Sequence, residues 1–156
     1  MAMTAALMMS GSVAQAQDVN IGRSNITLTS DLMTPETLWA MGRIGAAQAS
    51  PDGKKIVYQV GYYSVKENKG HQVLRVMDAD GKNDRLLTTS AKSEGDAAWL
   101  DNNTWAFLTG GQLWTMNADG TNRKQLTHSD IDIEGFRFSP DRKRVVLIKS
   151  IPDYGT

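Results

Sequence analysis

His71 and His128 are the only imidazoles in the chain, so any general-base chemistry near neutral pH rests on them. His128-Ser129-Asp130 sets the three residue types of a nucleophilic triad side by side. A triad requires an imidazole bridging a hydroxyl and a carboxylate in space, and adjacency along the chain does not supply that geometry. Both histidines therefore read as surface or strand-end residues. Gly22-Arg23-Ser24-Asn25-Ile26 lacks the closing glycine of a nucleophile elbow and has no strand-turn-helix context. Two acidic runs, Asp78-Ala79-Asp80 with Asp84 and Asp130-Ile131-Asp132 with Glu134, raise calcium binding. An EF-hand loop needs Gly at its sixth position and Glu at its twelfth. From Asp78, glycine falls fourth; from Asp130, Gly135 falls sixth but Asp141 stands twelfth, and Phe136 to Phe138 reads as strand. These carboxylates are turn formers and solvated strand ends. No catalytic residue, cofactor-binding residue or metal ligand is assigned.

What positions these residues is a repeat. Met77-Asp78-Ala79-Asp80-Gly81-Lys82-Asn83-Asp84-Arg85-Leu86-Leu87-Thr88 returns as Met116-Asn117-Ala118-Asp119-Gly120-Thr121-Asn122-Arg123-Lys124-Gln125-Leu126-Thr127. In each, an apolar run ends at Met, an Asp-Gly pair turns the chain, and a short run ends at Leu-Thr. Glycine accepts the positive φ that a tight turn between twisted strands needs. Ser50-Pro51-Asp52-Gly53-Lys54-Lys55-Ile56-Val57-Tyr58 likewise matches Ser139-Pro140-Asp141-Arg142-Lys143-Arg144-Val145-Val146-Leu147. Trp99 to Phe107 holds the equivalent place between them with the Ser-Pro lost. A period near 40 with one hairpin per unit is the sequence form of a β-propeller blade.

Bulk properties narrow the partners. Lys plus Arg and Asp plus Glu are equal at 17 each, so charge balance points to neither nucleic acid nor an acidic membrane. Arg123-Lys124 and Arg142-Lys143-Arg144 sit at separate turns, offset by nearby Asp. The absence of cysteine rules out disulfides, thiol catalysis and Cys-based zinc sites.

Residues 1–16 read as a signal peptide. Ala5 to Met9 is apolar, and Ala14-Gln15-Ala16 offers small residues where a signal peptidase inspects them, with cleavage after Ala16. No Lys or Arg precedes Arg23, unlike the usual positive start. The apolar stretch is too short for a stable membrane span, which needs roughly 20 residues. Residues 17–44 form a lead-in with a short helix over 34–41. Thr34 caps it, Pro35 suits the first turn, and Glu36 complements the dipole. Leu38 and Met41 fall on one face, Trp39 is expected to pack the helix onto the sheets, and Gly42 to end it left-handed.

From 45 to 156 the chain reads as an incomplete N-terminal β-propeller. Expected strands are 46–48, 55–63, 72–77 and 84–87, then 97–99, 104–109, 112–116 and 123–126 around a Gly110-Gly111 turn, then 136–138 and 144–151. Ser64 to Gly70 is expected as a solvated loop longer than its hairpin requires. The fold class is all-β: two and a half to three four-stranded blades preceded by a short helix. Propellers close with about 4–8 blades, so these units are not expected to close a ring by themselves.

The Ser-Pro-Asp-Gly-Lys-Lys-Ile-Val-Tyr and Met-Asx-Ala-Asp-Gly…Leu-Thr segments resemble the repeats of TolB-like propellers and of the propeller domains of prolyl oligopeptidase family serine peptidases. Met33 to Gly45 directly before Ser50-Pro51-Asp52-Gly53, with Val65 to Gly70 after the second strand, is similar to the mature start of bacterial exported dipeptidyl peptidases of that family. The resemblance implies a parent enzyme in which a propeller screens oligopeptide substrates and a C-terminal α/β-hydrolase domain carries the catalytic Ser, Asp and His. None of those triad positions falls in this sequence. Three readings follow. The first is the opening portion of a periplasmic or secreted serine peptidase, with an oligopeptide substrate, its own hydrolase domain as partner and self-association of the parent allowed. The second is a non-enzymatic TolB-like periplasmic propeller that binds proteins. The third is a short protein that builds a ring from several copies.

Overall fold

A computed structural model describes residues 21–28, 30–88 and 90–151. The signal peptide expected over 1–16 lies outside them. The described residues form one short helix, α1 (Pro35–Ala40), and ten strands. The strands are β1 (Arg43–Ala49), β2 (Lys55–Ser64), β3 (Lys69–Asp78), β4 (Arg85–Leu86), β5 (Glu94–Trp99), β6 (Thr104–Thr109), β7 (Gln112–Asn117), β8 (Lys124–Gln125), β9 (Gly135–Phe138) and β10 (Val145–Ile148). They make two four-stranded meanders, β1-β2-β3-β4 and β5-β6-β7-β8, and a two-stranded sheet, β9-β10, all antiparallel. This is a partial β-propeller of two blades and the start of a third.

The sequence repeats are hydrogen-bond repeats. At the first Asp-Gly turn the amide of Gly81 donates to the carbonyl of Asp78, and the amide of Asp78 to that of Lys82, both at 2.9 Å. Gly120 to Asn117 and Asn117 to Thr121 repeat those bonds at 2.9 Å. Gly81 and Gly120 have φ of 81° and 87°, where a Cβ would crowd the backbone. The Ser-Pro-Asp turns match as closely. Ser50 Oγ donates to Asp52 Oδ1 at 2.7 Å and accepts from the Lys55 amide at 3.0 Å. Ser139 Oγ does the same with Asp141 and the Arg144 amide, at 2.6 and 3.0 Å. The Thr of each Leu-Thr pair serves the sheet edge: Thr88 Oγ1 accepts from the Leu74 amide at 2.7 Å, and Thr127 Oγ1 from the Leu113 amide at 2.9 Å. A backbone donor that runs past the end of a two-residue edge strand is thereby paired.

The core lies between sheets. Val57, Leu74, Val76 and Leu87 of the first blade pack on Trp99, Trp105, Phe107, Met116 and Ala118 of the second. The opposite face of the second blade brings Ala106 and Leu113 onto Ile133 and Phe136 of the third unit. The central strands β6 and β7 of the second blade are therefore apolar on both faces, whereas β10 leaves Val146 and Ile148 exposed.

Three expectations change. First, α1 keeps Thr34 as cap, its Oγ1 accepting from the Thr37 amide, but Met41 leaves it in an extended conformation and Gly42 is not left-handed. A Cβ at Gly42 would lie 2.8 Å from Tyr62 Cε1, so glycine serves close approach to β2. Second, Trp39 packs the helix onto β2, edge-on to Tyr63 with centroids 5.9 Å apart, but at the surface: Leu38, Trp39 and Met41 stay exposed, and Thr37 is the buried residue of α1. Six residues are too few to present an apolar stripe to a sheet. Third, the expected long loop at 64–70 is a tight turn over 65–68, because Tyr63 pairs with Gly70 and Ser64 with Lys69. Asn68 at φ 48° lets β2 and β3 extend to ten residues each.

Candidate functional site

The first strand of each blade, β1, β5 or β9, has a sheet neighbour on one edge alone. Every residue of β1 is exposed. Together the three border a single cleft of about 580 Å³, with Gln48, Ala49, Asp96, Trp99, Arg137 and Arg142 in its wall. Bulges hold it open: the register shifts between Ile44 and Ala47 in β1 and between Gly95 and Ala98 in β5. In β5 the irregularity puts Asp96 at φ 50°, a cost that asparagine and aspartate tolerate best among side-chain-bearing residues. Trp99 Nε1 donates to the carbonyl of Gln48 at 3.1 Å, joining the first strands of neighbouring blades through the cleft wall. The wall offers guanidinium, carboxylate and amide groups around a partly apolar floor, a surface suited to an extended polar chain.

The residues singled out for chemistry are dispersed. His71, on β3, is buried, and its Nδ1 lies 2.7 Å from the carbonyl of Ile21. His128 is exposed beyond β8. Ser129 Oγ donates to the carbonyl of Ile131 at 2.6 Å and receives Lys149 Nζ at 2.6 Å, so its partners are not those of a nucleophile. Asp78 accepts from Lys55 Nζ at 3.1 Å and Asn83 Nδ2 at 2.7 Å, which hold its carboxyl below the usual range, Asn83 foremost. Asp80 pairs with the amide of its own turn, from Lys82 at 3.0 Å. Glu134 accepts from Ser150 Oγ at 2.8 Å, and Asp132 lies against Gly111. Among the described residues no three His, Asp or Glu side chains are grouped to hold a metal ion.

Two arrangements escaped sequence reasoning. On the outward face of the first blade, Arg75 donates to both carboxylate oxygens of Asp84, at 3.1 and 2.6 Å, and to Tyr58 Oη at 3.2 Å, while Tyr58 donates to Asp84 at 2.7 Å. The Arg75 bonds lower the Asp84 pKa, and burial followed by the Asp84 bond raises that of Tyr58. In the second blade Glu94 is fully buried and pairs with Arg123 Nη2 at 2.5 Å, the guanidinium lying over Phe107 and Trp114. Glu94 begins β5 and Arg123 lies 29 residues on, just before β8, and no local pattern links them. At the end of α1, Arg43 lies 5.0 Å from the Trp39 ring and 4.8 Å from that of Tyr63. Trp39 thus stacks on a cation and an aromatic edge at the surface and does not enter the core.

The comparisons with known proteins follow the same geometry. No family model matches the chain. It is 35% identical over 130 residues to the Dipeptidyl-peptidase 5 of Porphyromonas endodontalis and 41% identical over 130 residues to that of Porphyromonas gingivalis. The chain is thus similar to one part of each of these peptidases. In both cases 80% of this chain is matched, and it spans 19% of the relative's length. Among solved structures, Pyrococcus horikoshii acylaminoacyl peptidase superposes with a TM-score of 0.56 at 12% identity, over 71% of this chain and 18% of that one. That likeness concerns the fold alone, and it is the fold of a propeller-bearing peptidase. The propeller architecture read from the repeats therefore holds in three dimensions.

Proposed function

We propose that this chain forms the opening blades of the propeller of an exported dipeptidyl peptidase, a serine-type enzyme that releases short peptides from oligopeptide N-termini. The observation that carries this reading is the 35% and 41% identity over 130 residues to two proteins named Dipeptidyl-peptidase 5. The catalytic hydrolase domain would belong to the remaining length, of which these relatives have about four times more than this chain spans. The propeller would act as the gate. In that role β1, β5 and β9 line the path by which a peptide reaches the catalytic domain, and the cleft wall from Gln48 to Arg142 makes its first contacts. A periplasmic or secreted location follows from the same reading and from the small-residue motif at Ala14-Gln15-Ala16. No helix among the described residues is long and apolar enough to cross a membrane.

The test uses the full-length protein. Hydrolysis of dipeptidyl-aminomethylcoumarin substrates, blocked by a serine-directed phosphonate, is the expected result. The Arg137→Ala protein should alter kcat/KM for decapeptides several-fold while leaving that for dipeptidyl-coumarins within twofold. A full-length protein with no serine-type peptidase activity that instead captures periplasmic proteins would favour the non-enzymatic propeller.

A further inference from the structure

Four buried side-chain atoms without a hydrogen-bond partner lie in one place: Glu94 Oε2, Thr109 Oγ1, Trp114 Nε1 and Arg123 Nη1. Glu94 is 0% exposed and Thr109 8%. The two face each other directly across the β5–β6 pair, which sets their Cβ atoms about 5 Å apart. Phe107 and Trp114 are direct partners across β6–β7, and the Arg123 guanidinium lies 4.8 Å from the first ring and 5.2 Å from the second. Thr109 stands two residues along β6 from Phe107, hence on the same face. Glu94, Thr109, Trp114 and Arg123 thus share the face of the second blade that packs on the first.

The chemistry of the four atoms selects what belongs between them. One carboxylate and one guanidinium make the site neutral. A bare cation there would meet Arg123, and a bare anion would meet Glu94. Glu94 Oε2 asks for a donor, Trp114 Nε1 and Arg123 Nη1 ask for acceptors, and the Thr109 hydroxyl can serve as either. A small neutral molecule that both donates and accepts satisfies all of them, and water is that molecule. Next to the site, Gln59, Gln72, Ser93, Gly95, Asp96 and Thr109 border a polar cleft of about 340 Å³, so Thr109 stands between the buried group and a cleft that water, at about 30 Å³ per molecule, can enter.

We propose that Glu94, Thr109, Trp114 and Arg123 form a buried hydration site that takes about one or two water molecules. The water donates to Glu94 Oε2, accepts from Trp114 Nε1 or Arg123 Nη1, and bonds the Thr109 hydroxyl. It completes the coordination of a buried ion pair and ties the start of β5 to the turn that leads into β8, at the seam between two blades.

Two measurements on the full-length protein test this. A crystal structure at a resolution that reveals ordered solvent should show density within about 3.2 Å of Glu94 Oε2 and of Trp114 Nε1 or Arg123 Nη1. A dry site, or one in which these atoms bond each other directly, overturns the proposal. Separately, Thr109→Val swaps a hydroxyl for a methyl of nearly the same shape. If the hydroxyl is bonded to water, the Tm falls by a few degrees, since the water loses a partner. If the hydroxyl is truly orphaned, valine relieves a buried polar atom, and an unchanged or raised Tm refutes the site.

Discussion

Truncating Trp99 tests whether the first two blades share one core. Its ring is 3% exposed, packs with Val57, Leu74, Val76 and Leu87 of the neighbouring blade, and donates to the Gln48 carbonyl at 3.1 Å. Trp99→Phe keeps an aromatic ring but loses that bond, worth about 1 kcal/mol. It also gives up roughly 40 Å² of apolar contact, about another 1 kcal/mol at 25 cal/mol/Å². Gln48 lies on an exposed strand, so water re-satisfies its carbonyl and the total stays near 2 kcal/mol. Trp99→Ala leaves a cavity as well and should cost about 3–5 kcal/mol. The assay is native-state hydrogen exchange, which reports the opening free energy of each amide. Because the cavity faces the first blade, amides of β2 and β3 should lose protection along with those of β6 and β7. Unchanged exchange in β2 and β3 after Trp99→Ala, with loss confined to the second blade, would refute a shared core.

Three further outcomes follow from the same geometry. Thr88→Val strands the buried Leu74 amide and should cost about 1–3 kcal/mol in urea denaturation, more than Thr127→Val, whose site is half-buried and can admit water. Gly111→Ala should destabilise more than Gly81→Ala: both positions have positive φ, but a Cβ at 111 would collide with the Asp132 side chain, while at 81 it meets nothing within 4 Å. Acid titration should show the Arg75–Asp84 pair: the Asp84 pKa is depressed, so its contribution is complete above the unfolded carboxylate pKa and disappears as pH falls through the folded one. Asp84→Asn should therefore flatten the stability–pH curve below about pH 4, and an unchanged slope would show that the pair adds nothing.

The cleft wall illustrates how the legible and the illegible interlock. Gln48, Trp99 and Arg137 sit on strands anticipated from alternation and from the Ser-Pro-Asp and Asp-Gly turns, yet nothing local says that three first strands converge on one cavity. Convergence depends on how far each blade rotates on the last, and packing sets that angle. For Trp39 the sequence suggested packing onto the sheets, which it does edge-on to Tyr63 of β2, but not that a six-residue helix beside Arg43 would leave the contact at the surface.

Amino-acid order alone determined the repeat, its turn chemistry and the all-β class, since glycine at positive φ and Asp or Ser closing a turn act within a few residues. Tertiary structure alone decided that Glu94 meets Arg123, that Arg75 and Tyr58 clasp Asp84, and that the 64–70 segment continues two strands. Those pairings join residues from different strands and turns, and their energies depend on burial, which exists only after the sheets have formed and stacked.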